Sequence, residues 1–244
     1  MNYLNRLTAL MRQRPFFLTG IAGVLALLLA AFMAQPLRQV AFETPPPFRD
    51  AVMAVEWAPS PATMDVVLGK APERPERIRA LLEATRRDGL FILAYTLFMC
   101  GFAVTMSLVS RHRYYLLLGV VALVVGFADL GENGAIRSLL LLYDSETFTP
   151  GGSDYLRVRL FAWVKWAGTA LYFAGVGPYL WSRGWFIGRV LALLAASVVI
   201  MWILAQFSAL WAEPYALGVF GLLALATAYC FRPVKGLSDP QAGP

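Results

Sequence analysis

The amino-acid sequence predicts an all-α, polytopic membrane protein with six transmembrane helices and an outer loop that contains an amphipathic helix. Hydrophobic residues make up 59% of the 244 residues and charged residues only 15%, and the mean hydropathy of +0.60 is too high for an ordinary soluble domain. The apolar residues are gathered into six stretches of about 20 residues, the length of helix that crosses about 30 Å of hydrocarbon. Little chain remains for a separate soluble domain, so we expect residues 1–244 to form one membrane domain.

The first apolar stretch covers residues 16–34 and follows Arg6, Arg12 and Arg14. It is longer than the roughly 7–15 apolar residues of a signal-peptide core, and Phe32 interrupts the small-residue pattern of a cleavage site. We therefore expect a retained membrane anchor with a cytoplasmic N-terminus.

Residues 35–88 form the only long polar segment and are predicted to be an extracytoplasmic loop. The loop ends in an amphipathic helix at 75–88, where Ile78, Leu81 and Leu82 share one face. Such a helix typically lies on the membrane surface.

A shorter helix is predicted earlier in this loop. Ser60 is a suitable N-cap residue, and Gly69 is a suitable residue to end the helix.

The later apolar stretches cover residues 89–109, 114–134, 160–181, 185–206 and 215–231. The short connections predicted to be cytoplasmic contain Arg111, Arg113, Arg183, Arg189, Arg232 and Lys235. The opposite connections contain Asp144, Glu146, Asp154 and Glu213. Because positive residues favour the cytoplasmic side, this pattern predicts that both termini are cytoplasmic.

The charge and the rare residues exclude several classes of function. The 21 Lys and Arg residues outnumber the 15 Asp and Glu residues by six, and their positions beside the apolar stretches explain this excess without nucleic acid. The two cysteines have no paired spacing, and the single histidine, His112, lies in a connection. We therefore expect no disulfide framework, no metal site and no cofactor.

An unusual polar group interrupts the third apolar stretch. Asp129, Glu132, Asn133 and Arg137 follow the spacing i, i+3, i+4 and i+8, which places them on one side of a helix. A charged side chain at the bilayer centre costs roughly 2.5–3.5 kcal/mol on insertion scales, so these groups are expected to point inward and to pair.

Lys165 in the fourth stretch is the expected counter-charge, at a similar depth in the outer half of the membrane. Four further polar residues are predicted to lie near it, namely Asp88, Tyr95, Tyr172 and Gln206. The whole set is a candidate ligand or proton site. The alternative is an ion-paired contact that fixes helix register and does no chemistry.

The residues Asp88, Phe91 and Tyr95, followed by Asp129, Glu132 and Asn133, form the patterns D-x-x-F-x-x-x-Y and D-x-x-E-N. In these patterns and in Lys165, the chain resembles a group of bacterial multipass membrane proteins over roughly residues 50–170. The resemblance implies a location in the cell inner membrane, and it implies no activity.

The sequence leaves three functions open. The first is a non-enzymatic protein that binds a membrane lipid, another lipophilic ligand or a partner subunit through the outer polar cluster. The second is a small proton-coupled transporter in which Asp129 or Glu132 titrates against Lys165. The third is an enzyme that acts on a lipid head group with a carboxylate as general base. No phosphate loop, nucleophile elbow or metal-binding helix motif is present, so no catalytic residue is assigned.

Overall fold

The computed structural model describes residues 14–145, 150–182 and 186–232, and these ranges are helical without β-strands. The helices are α1 (Phe17–Met33), α2 (Ala51–Trp57), α3 (Pro61–Leu68), α4 (Arg74–Ser110), α5 (Leu116–Asp144), α6 (Gly152–Ser182), α7 (Phe186–Phe207) and α8 (Ala212–Cys230). Several predicted features lie outside the described residues, namely Arg6, Arg12, Glu146, Arg183, the first residue of the stretch 185–206, Lys235 and both ends of the chain.

Five helices in the described part of the chain are long and apolar enough to cross a membrane, namely α1, α4, α5, α7 and α8. The chain is therefore a helical membrane protein. Helix α6 is not among the five, although it has 31 residues. It carries Asp154, Arg157, Arg159 and Lys165 in its first half, and it packs between α5 and α7.

The predicted break between an interfacial helix at 75–88 and a span at 89–109 is wrong. Helix α4 runs without interruption from Arg74 to Ser110. Gly89, at the predicted break, costs a helix only about 1 kcal/mol relative to alanine, and no proline follows it to remove a backbone hydrogen bond. The polar turns of α4 therefore continue the apolar turns along one axis.

The long helices differ in length, and this difference shapes one end of the bundle. At 1.5 Å per residue, α4, α5 and α6 are about 55, 44 and 46 Å long, whereas α7 and α8 are only about 33 and 28 Å long. We call the end that carries residues 34–73 the loop side. There Gln206, near the end of α7, is level with Trp163, about 17 Å along α6. The two short helices therefore leave a recess on the loop side.

The recess is occupied by α2, which packs against α6 and α8. Asp50 caps this helix by accepting a 2.9 Å hydrogen bond from the Met53 amide, and Ala54 and Val55 are buried. Sequence analysis did not predict α2. The following helix, α3, confirms the prediction made from its caps: Ser60 Oγ accepts from the Thr63 amide at 3.1 Å, and Gly69 ends the helix with φ at +66°.

Close helix packing at the opposite end of the bundle requires a glycine near the start of α7. A β-carbon at Gly188 would lie 2.7 Å from the backbone carbonyl oxygen of Leu180 on α6. Backbone cannot move aside as a side chain can, so this position accepts only glycine without a local shift.

Candidate functional site

The site is built around the ammonium group of Lys165, which contacts three carboxylates. Its Nζ lies 3.0 Å from Glu56 Oε2 and 3.3 Å from Asp129 Oδ1, and it also forms an ion pair with Glu132 Oε2. The four residues are at most 8% exposed. We call them the acid–lysine cluster.

Local helix geometry explains most of this arrangement. Asp129 and Glu132 are separated by three residues on α5, so both side chains project toward α6 and reach Lys165. Tyr95 on α4 donates a 2.8 Å hydrogen bond to Asp129 Oδ2 from the other side. Three helices thus place a titratable or charged group at the same point. The sequence predicted that Lys165 pairs with Asp129 or Glu132, and in the structure it contacts both.

A second polar contact joins α4 and α5 nearer the loop side. Asn133 Nδ2 donates a 2.7 Å hydrogen bond to Asp88 Oδ2, and both residues are half-buried. Asp88 precedes Tyr95 by seven residues, and Asn133 follows Asp129 by four, so the two contacts succeed one another along antiparallel helices. They form a polar seam from the cluster toward the loop side.

Glu56 is the cluster residue that sequence analysis missed. It lies on α2, which is only seven residues long and has no detectable hydrophobic period. Its Oε2 atom accepts a 3.0 Å hydrogen bond from Trp166 Nε1 in addition to the contact with Lys165. Burial raises the pKa of Glu56, because the loss of water outweighs the attraction of Lys165. The sequence contains one feature that could have predicted this helix, namely Asp50, a good N-cap residue directly before an apolar run.

Three residues predicted for the site lie elsewhere. Tyr172 is buried, but its hydroxyl donates to the Met99 carbonyl at 2.8 Å, about 10 Å along α6 from Lys165. Gln206 has the predicted depth but faces outward, and its side-chain oxygen accepts from Trp163 Nε1. Arg137 is exposed and has no ion pair within the described residues, because the eight-residue spacing carries it beyond the cluster.

Aromatic rings enclose the Glu56 side of the cluster. Trp166 lies 5.3 Å from Tyr215 and 6.5 Å from Trp57 between ring centres, and Trp57 lies 6.4 Å from Tyr215. The Lys165 ammonium is 4.7 Å from the centre of the Trp166 ring, a cation–π distance. These rings exclude water from the ion pairs and strengthen the electrostatic interactions among them.

The charges of the cluster do not balance. Three ionised carboxylates and one ammonium would leave two negative charges in a site that water barely reaches. Like charges this close raise the cost of ionising every carboxyl group. Glu132 is 1% exposed, and its Oε1 atom has no hydrogen-bond partner within the described residues, so burial leaves this oxygen unsatisfied. The described residues contain no group of three ligands arranged for a metal ion.

A groove of about 300 Å³ lies beside the cluster, between α5 and α6. Its floor is formed by small residues that include Gly131 and Gly134, and a β-carbon at Gly134 would meet no atom within 4 Å. Arg157, Asp154 and Phe161 line the rest. This groove has room for a slender apolar chain beside one positive group.

No protein-family model, curated protein or solved structure matches this chain.

Proposed function

We propose that the chain is a proton-coupled membrane transporter whose acid–lysine cluster binds and releases the proton. The observation that carries this proposal is the charge imbalance: three buried carboxyl groups share one ammonium group. Proton binding is the least demanding way to reduce that imbalance, because it needs no cavity and no ligand geometry.

The charge also favours proton binding over the other functions expected from the sequence. An anionic lipid head group would add negative charge to a site that already has an excess of it, so the cluster is unsuited to bind one directly. A general base acting on a head group would need contact with it, and each carboxyl-bearing residue of the cluster is at most 8% exposed. Proton binding requires neither additional positive charge in the cluster nor exposure of the carboxyl groups to a large ligand.

The proposed topology has six transmembrane helices, with both termini in the cytoplasm and the loop side outside the cell inner membrane. It counts α6 as a span because α6 is 31 residues long and packs between two helices that qualify as spans. The polar first half of α6 lies on the loop side, where α4 and α5 also extend beyond the short helices α7 and α8. The cluster then lies near the outer boundary, a position from which a proton can reach water.

Infrared spectroscopy of the protein in lipid vesicles tests the proposal. A buried protonated carboxyl group gives a C=O band that disappears when the group ionises, so spectra recorded from mildly acidic to alkaline pH should show such a band in the wild type. The band should be lost or shifted in at least one of Glu56→Gln, Asp129→Asn and Glu132→Gln. Glu83→Gln is the matched control, because Glu83 pairs with Arg86 and Arg87 at the surface of α4 and is remote from Lys165.

Two results would contradict the proposal. One is the absence of the band at every pH in folded wild-type protein. The other is a band that none of the three cluster substitutions alters, because the proton would then lie elsewhere.

Binding of a lipid, another lipophilic ligand or a partner subunit is the second candidate function, and the groove between α5 and α6 favours the lipid. Arg157 suits an anionic head group, and Gly134 leaves space for an acyl chain, whereas the Phe161 ring packs against Gly131. Gly134→Leu would fill this space. It should reduce the lipid that co-purifies, whereas Gly221→Leu, at another open position, should not.

A further inference from the structure

Glu56 differs from the other members of the cluster because its helix is not one of the long helices of the bundle. Asp129, Glu132 and Lys165 lie on α5 and α6, which have 29 and 31 residues. Helix α2 has seven residues, and an isolated helix of that length is unstable in water. Its position therefore depends on what it contacts.

Besides the burial of its apolar residues, three contacts hold α2 in the recess. Glu56 accepts from Trp166 and pairs with Lys165, both at 3.0 Å. The Trp57 ring packs against the rings of Trp166 and Tyr215. Neither contact requires α2 to be continuous with a long helix.

The third contact lies just before the first residue of α2. The side chain of Glu213, at the beginning of α8, accepts hydrogen bonds from the backbone amides of Arg49 and Asp50, the latter at 2.8 Å. This contact is exposed, unlike the contacts of Glu56. We call it the Glu213 tether.

The segments beside α2 allow it to move without disrupting the bundle. Residues 40–50 are not helical, and residues 58–60 separate α2 from α3. Five of the seven residues of α2 are buried, but the helix is far shorter than the long helices that it contacts, and short elements open at lower free energy than long ones. Loss of the three contacts would leave α2 held only by its buried apolar residues, so it could open while α4, α5 and α6 remain packed.

We propose that α2 is a plug that closes the acid–lysine cluster on the loop side, and that Glu56 leaves the cluster when the plug opens. This inference rests on the proposed proton-binding function. Undocking removes one negative charge and admits water, so the open site holds its proton less strongly than the closed one. By linkage, a bound proton in turn favours the closed plug.

The acidic groups around Glu56 agree with this direction of coupling, and Lys165 opposes it. Lys165 attracts the carboxylate, whereas the acidic neighbours repel it and favour a shared proton. The groups on the packed helices are Asp88 and Tyr95 from α4, Asp129 and Glu132 from α5, Lys165 from α6, and Glu213 and Tyr215 from α8.

Thiol labelling from the loop side tests the plug. Cys100 and Cys230 are first replaced by alanine, and a cysteine is introduced at Ala54, which is fully buried in α2. Lys70→Cys, at an exposed position, measures the intrinsic rate of the impermeant reagent at each pH. Relative to that control, Ala54→Cys should react slowly at acidic pH and faster at alkaline pH.

Breaking the tether should open the plug without touching the cluster. Glu213→Gln, made in the same background, should raise the relative labelling rate of Ala54→Cys on the order of tenfold, the effect of losing a charge-assisted hydrogen bond. Val52→Cys, at a half-buried position of the same helix, repeats the measurement in case the first cysteine disturbs packing.

An equally slow rate at every pH, with and without Glu213→Gln, would show that α2 is static and would overturn the plug. A rate equal to that of Lys70→Cys in the wild type would show that α2 is not seated, with the same conclusion. The infrared band separates this failure from failure of the proposed function: a titrating band with a static α2 overturns only the plug. A pH-independent rate in protein without the band overturns both.

Discussion

Among single residues, Lys165 stands out because it contacts three buried carboxyl groups. It is the sole cation within contact of Glu56, Asp129 and Glu132 among the described residues. The sequence suggested one carboxylate partner, so that a neutral residue at Glu132 would leave the lysine unpaired. With three partners, Lys165 keeps two when Glu132 becomes neutral. Lys165 is therefore more important for folding than any one of its three carboxylate partners.

Lys165→Met should destabilise the protein far more than Glu132→Gln. Removal of the lysine leaves three carboxyl groups without a cation, and breaking a buried pair in this way typically costs about 3–5 kcal/mol. Glu132→Gln lowers the excess negative charge and should change stability little. Thermal unfolding in detergent measures both effects.

The double variant Lys165→Met with Glu132→Gln is the control for this comparison. It should be less destabilised than the sum of the two single variants, because both changes act on one interaction. Equal losses from Lys165→Met and Glu132→Gln would contradict the charge imbalance.

At the scale of elements, local patterns predicted the long helices but not the way they continue or combine. The pairing of Tyr95, Asp129 and Lys165 follows from helical spacing and depth, both of which can be counted along the sequence. The continuity of α4 could not be predicted in this way. The change from polar to apolar turns near Gly89 suggested two separate elements, but such a change does not by itself bend a helix. Glu56 was missed because the recess that receives α2 exists only after α7 and α8 have packed.

Helix packing gives a prediction with a matched control. Gly188→Ala should destabilise the protein by about 1–3 kcal/mol, the usual cost of overpacking, because the new methyl group meets the Leu180 carbonyl at 2.7 Å. Gly221→Ala meets no atom within 4 Å and should be neutral or stabilising by up to about 1 kcal/mol. Unfolding in detergent compares the two. A loss at Gly221 as large as that at Gly188 would show that helix flexibility matters here, and not close approach.

At the scale of the whole molecule, helix length and hydropathy give different counts of spans. Composition identifies α1, α4, α5, α7 and α8, whereas length and packing favour α6 as well. The polar residues in the first half of α6 include Lys165, which is buried against α5. A helix that carries buried polar residues loses the apolar signal by which spans are recognised, so the polar residues of α6 obscure the topology.

The number of spans determines on which side the end of α8 lies. Six spans place Arg232 on the same side as His112, whereas five spans, with α6 not crossing, place Arg232 on the side of Lys70. Single cysteines at these three exposed positions, in protein without Cys100 and Cys230, report the side through an impermeant thiol reagent applied to intact cells. We expect labelling of Lys70→Cys alone, and labelling of all three after the cells are permeabilised. Labelling of Arg232→Cys together with Lys70→Cys in intact cells would establish five spans. Labelling of His112→Cys would reverse the orientation, and the recess that holds α2 would then face the cytoplasm.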